Sequence, residues 1–236
     1  MPSTRSILLV TVLLTVLPMA ARADPRADLA EAARAFDDAA LRRDDDNTKA
    51  TPVRKRTEPV RLTFKNPKAA PGLVEPVRQA LKQIAVEAAL DVVDVGASDP
   101  TANFIVLFDE NESVQGKHNC FTTTSWKSWM ITSSTLKINP AYGSTIDGCI
   151  IHEAMHAFGF NSHPHSGDSV LSYVYRRRAL TALDRNLIHT LYDPRVVPGL
   201  KPAAASQLGC RILGERMAVA AAVIDVICNG RAGPTP

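Results

Sequence analysis

Beyond residue 23 no apolar run is long enough to cross a bilayer, which needs about 20 apolar residues. The nearest, Met217 to Cys228, is interrupted by Asp225. An integral membrane segment in the body of the chain is therefore not expected. No two of the four cysteines stand in C-x-x-C spacing, which argues against a cysteine-built zinc site. Charge of one sign is not in excess either. Taking away residues 1–23 removes two arginines and no acids, leaving 25 basic against 24 acidic residues. A dedicated nucleic-acid binder usually carries a basic face, so no nucleic-acid partner is expected. There is no internal repeat.

What is present begins with a targeting signal. "MPSTRSILLVTVLLTVLPMAARA" has a basic start at Arg5, an apolar run from Ile7 to Met19 and an A-x-A cleavage pattern at Ala21-Arg22-Ala23. Residues 1–23 are expected to be a signal peptide, making the protein secreted or periplasmic. The four cysteines all follow it and fit an oxidising compartment. Three pairings are possible. Cys120–Cys149 and Cys210–Cys228 are favoured because each joins neighbours in sequence.

Four segments follow from patterning. Residues 24–57 hold a helical stretch with Leu29, Ala33, Phe36 and Ala40 at helical spacing, either a docked helix or a loosely attached arm. A charged, proline-bearing run through Arg54-Lys55-Arg56 comes next and reads as a solvated linker. Residues 58–200 read as the folded domain. "VRLTF" alternates like a strand. Val77, Leu81, Ile84 and Ala88 share a helical face. "ANFIVLF" is a buried strand, and "WMITSSTLKI" supplies one or two more, ending at Asn139-Pro140. This order predicts an α/β (α+β) class with a mixed twisted sheet packed on helices. Residues 201–236 form an extension, a helix and an apolar segment clipped by Cys210–Cys228.

Chemistry concentrates in "CIIHEAMHAFGFNSHPHSGDSVLSY", Cys149 to Tyr173, which holds four of the six histidines. A helix is expected from near Ser144-Thr145, good N-cap residues, to Gly159, which suits a left-handed stop. On it His152 and His156 lie four apart, so their rings share a face one turn apart and can grip one metal ion. Glu153 stands beside the first ligand, where a carboxylate can act on a water at the metal. A catalytic zinc takes three protein ligands and one open position. His163 is the first choice for the third ligand, because Pro164 biases it toward an extended backbone. His165 and Asp168 are the alternatives. His118 and His189 lie elsewhere and read as ordinary histidines.

"HEAMHAFGFNSH" resembles the H-E-x-x-H-x-x-G-x-x-H signature of the metzincin zinc peptidases. It departs at one point: the third histidine of that signature falls on Ser162, and His163 comes one residue later. "SVLSY", 169–173, is similar to the methionine turn of that family, with Leu171 in the methionine's place and Tyr173 where some members keep a tyrosine near the metal. "LTALDRNLIHTLYDP", 180–194, resembles the C-terminal helix of its matrix-degrading members, and Thr181 and Asp184 have capping-box-like spacing. The resemblance implies a metzincin-like zincin: Zn²⁺ on His152, His156 and His163, Glu153 as general base, Tyr173 as an oxyanion donor, and a peptide or protein substrate. An extended substrate would add to a sheet edge, expected within 126–138, where Trp126 and Trp129 line the cleft or belong to the core. The ending "LYDPRVVPGL" also looks like an uncharacterised domain family of exported proteobacterial proteins. That second likeness implies a non-catalytic zinc- or partner-binding envelope protein on a peptidase-like fold. Other zinc hydrolases, such as amidases acting on wall peptides, are further options.

Overall fold

The computed structural model describes residues 24–43, 46–109, 120–141, 146–165, 168–172 and 177–231. Its elements run α1 (Pro25–Leu41), β1 (Arg42–Arg43), β2 (Asp46–Ala50), β3 (Val60–Lys65), a 3-10 turn (Pro67–Ala69), α2 (Pro71–Glu87), β4 (Val92–Asp94) and β5 (Phe104–Phe108). They continue with β6 (Cys120–Lys127), β7 (Met130–Ile138), α3 (Ile146–Ala157), α4 (Ala182–Tyr192), α5 (Pro202–Arg216) and α6 (Ala221–Cys228). The fold is mixed α/β, as the patterning predicts.

The main sheet has strand order β4-β3-β5-β7-β6. Four strands are parallel, and β6 is an antiparallel edge. Alternation buries one face. Leu62 lies opposite Phe104, and Val106 opposite Leu136, all at 0% exposure. Helix α3 lies against β6 and β7, with α2 alongside it. The edge differs from the expectation. β7 is paired on both sides, so most of 126–138 is interior; among the described residues the sheet ends in β4 on one side and β6 on the other, and β6 is the edge against α3. The consecutive Thr and Ser residues of β6 conceal the strand in the sequence, because they carry no apolar alternation. Lys127 pairs with Met130 across a two-residue turn. Ser128 and Trp129 both have positive φ there, the geometry hairpins prefer and non-glycine residues resist. Trp126 and Trp129 are not core: they are 44% and 37% exposed, with the Arg54 guanidinium 4.0 Å from the Trp126 ring centroid.

Two expectations for the N-terminal segment are resolved by burial. Helix α1 is docked, with Leu29, Phe36 and Leu41 at 0% exposure. It packs on α5, where a side-chain carbon at Gly209 would come within 2.5 Å of the Phe36 ring. The basic run is not a solvated linker: Lys55 and Arg56 are buried. The reason is electrostatic. The last carbonyls of a helix lack internal partners and carry partial negative charge, and each of these cations serves a helix end. Lys55 Nζ donates to the Leu191 and Asp193 carbonyls at the end of α4, 3.1 and 3.4 Å away. Arg56 donates to Ser134 Oγ at 2.8 Å, and that hydroxyl reaches the Ala157 carbonyl at the end of α3. Burial pushes both cations below their ordinary pKa values. Burial likewise pushes the Tyr192 phenol up, keeping it a neutral donor to the Phe158 carbonyl at 2.8 Å.

Both favoured disulfides are formed, Cys120–Cys149 and Cys210–Cys228, with Cα atoms 5.9 and 5.6 Å apart. The first ties the start of β6 to α3, and the second ties α5 to α6. Chain-entropy reasoning gives a loop of the second one's size roughly 3 kcal/mol of stabilisation. The double replacement Cys210→Ala with Cys228→Ala should lower unfolding stability by about that much, read as an earlier denaturant midpoint.

Candidate metal centre

The site is built on α3. The four-residue spacing on this largely buried helix puts His152 and His156 on one side, with ring centroids 4.8 Å apart. The helix ends where Gly159 takes φ +114°. A side-chain carbon there would lie 2.2 Å from the Arg54 carbonyl oxygen, so this turn requires glycine for two reasons. The chain then returns with His163 against both rings, centroids 5.0 Å from each. Ser162, the residue that lengthens the expected spacing, is fully buried, and its N–H donates to the Ala39 carbonyl at 3.0 Å. The extra residue is thus absorbed into packing against α1.

The three histidines converge on one point. His152 Nε2 is 3.1 Å from His156 Nε2 and 3.0 Å from His163 Nε2, and the three donor atoms all lie within 4.8 Å of one another. His152 and His163 are 2% and 7% exposed. The tautomers of two rings follow from their other partners. His152 Nδ1 faces the Val170 carbonyl at 2.8 Å, and His156 Nδ1 faces the Phe160 carbonyl at 2.6 Å. A carbonyl only accepts, so both Nδ1 atoms carry the hydrogen and both Nε2 lone pairs point inward. Bonds of about 2.0–2.1 Å in a tetrahedral shell put nitrogens about 3.3 Å apart, close to the two separations from His152. This buried triad can hold a metal ion. Imidazole donors suit zinc, copper, iron or nickel.

Outer groups fix the ligands. Asp184, fully buried near the start of α4, completes a capping box with Thr181. The same carboxylate accepts from Ser169 Oγ at 2.6 Å and from the Val170 N–H at 3.1 Å. It thereby holds the turn whose Val170 carbonyl receives His152 Nδ1. Leu171 is buried beneath this turn. Glu153 is 7% exposed, and its backbone carbonyl accepts from Thr122 Oγ1 on β6 at 3.0 Å, pinning the metal helix to the edge strand.

Of the residues singled out in the sequence, His152, His156 and His163 come together, with Glu153 buried in the same turn. The alternatives for third ligand do not join them. His165 is 79% exposed and faces Asp38, and Asp168 is 63% exposed and pairs with Arg177. His189 pairs with Glu87. Tyr173, His118 and the Ser144-Thr145 cap lie outside the described residues. The supports that sequence reasoning missed are mostly backbone carbonyls, which leave no side-chain signature. The side-chain exceptions include Thr122, Ser169 and Asn161, whose Nδ2 donates to the Ala40 carbonyl of α1. In sequence comparisons the chain matches no family model and no curated protein.

Asp184→Ala should lower metal affinity by about 10- to 100-fold, the usual cost of losing a group that orients a ligand. It should also remove about 1–2 kcal/mol of stability through the lost helix cap. Chelator competition and thermal unfolding of the metal-free protein read the two effects separately.

Proposed function

We propose that the protein is a zinc-dependent peptidase acting outside the cytoplasm, of the metzincin-like kind. The observation that carries this reading is the three-histidine cluster with a buried glutamate adjoining its first member on the same helix turn. Three protein ligands leave a fourth position for water or substrate. When bound, zinc supplies Lewis-acid polarisation of a carbonyl and brings the pKa of a coordinated water to about 7.

The chain's own residues supply the rest. Glu153 accepts the water proton as the peptide carbonyl is attacked and delivers it to the leaving amine. The Val170 and Phe160 carbonyls keep two ligand rings in their metal-binding tautomer. An extended substrate adds to the open side of β6 through backbone hydrogen bonds, running past the Thr122 contact with the metal helix. Tyr173 is assigned as a further donor to the developing oxyanion. Export is supported by two disulfides, and no helix of the described residues is long and apolar enough to cross a membrane.

Glu153→Gln should keep metal and fold while cleavage of a general protein substrate falls by at least about 100-fold, within the contribution of a positioned general base. Cleavage by the glutamine variant at the wild-type rate removes Glu153 as the base. A wild-type protein that binds zinc but cleaves neither proteins nor wall peptides makes the non-catalytic binding protein the better reading.

A further inference from the structure

We propose that helix α1 is the positioning element for the third metal ligand. The inference rests on the reading of His152, His156 and His163 as a metal site. Its ground is how the end of α1 is used. The last carbonyls of a helix need partners from outside it. Here Ala39 receives the Ser162 N–H at 3.0 Å, Ala40 receives Asn161 Nδ2 at 3.2 Å, and Leu41 receives the Thr51 N–H at 2.8 Å. Just before them, Asp38 faces His165 Nδ1 at 3.1 Å. The loop bearing His163 therefore touches α1 at positions 161, 162 and 165, on both sides of the ligand.

A loop that leaves a helix at a glycine and carries one residue more than the signature it resembles has several ways to close. Docking end-on to α1 selects the one that returns His163 to the other two rings. The helix is firm enough for this role. Its inner face, including Leu29, Phe36 and Leu41, has no exposure, and Phe36 fits over Gly209 of α5. Residues 25–41 are thus part of the completed site. Removing them would uncover this inner face and free the ligand loop, which is the opposite of what releasing an inhibitory prosegment does. Asn161 is a positioning residue. It acts through the loop on His163 and does not itself touch the metal.

The test uses the full chain with two substitutions. Asn161→Ala removes one clamp from the loop. Phe36→Ala loosens α1 without touching the loop. Zinc affinity is read by chelator competition, and ligand geometry by the visible absorption of the cobalt-substituted protein. Both variants should bind zinc about 10-fold more weakly, and their cobalt spectra should shift from the wild-type pattern toward that of His163→Ala. Hydrogen exchange at the Ser162 amide should quicken in both. Should Phe36→Ala not fold, Asn161→Ala decides alone. Wild-type affinity and an unchanged cobalt spectrum in the substituted chains overturn the proposal while leaving the metal site standing. Absence of zinc and cobalt binding by the unsubstituted chain overturns both.

Discussion

Inward-pointing lone pairs on buried imidazoles are the constraint around which this molecule is arranged. Two of the rings have their Nδ1 hydrogens committed to the Val170 and Phe160 carbonyls, so their Nε2 atoms face each other at 3.1 Å. In a medium of low dielectric a cation suits such converging nitrogens. The surrounding fold must therefore hold the three rings aimed at one point. Each neighbouring element can be understood as meeting part of that demand.

The demand is met from several parts of the chain. The Asp184 carboxylate organises the turn under His152. The 53–56 segment crosses the end of α3 and leaves room only for glycine at position 159. Cys120–Cys149 and the Thr122 hydroxyl hold the edge strand to the same helix at two levels. The main sheet contributes an apolar floor, and among the described residues its β6 edge pairs with no further strand. Rigidity is thus concentrated under the ligands, while the opposite face of the sheet is left more open to solvent.

The ligands were legible because they are local. A four-residue spacing, a helix-ending glycine and a nearby third histidine are written in one short stretch. The strands β3 and β5 and the helices α1, α2 and α4 are legible for a similar reason, since β5 is a compact apolar run, the others show their own periods, and α4 has its capping pair. The basic run at 54–56 misled because charge implies solvent unless something buried needs a cation. Here two helix ends do, and they are distant in sequence. The edge strand was misplaced because Thr and Ser on β6 carry no apolar alternation. The role of the α1 carbonyls could not be read at all, since every residue type offers the same carbonyl.

The placement of all three ligands between positions 152 and 163 has a thermodynamic consequence. A ligand stabilises a native state only to the extent that it prefers that state over the unfolded chain. The His152 and His156 pair, four residues apart, can capture a cation before the rest of the protein forms, and the turn so bound already has helical geometry. Part of the ion's affinity is then shared by the denatured ensemble. Coordination here implies early nucleation of the helix, and the gain in melting temperature is set by the share of affinity that His163 adds once docked.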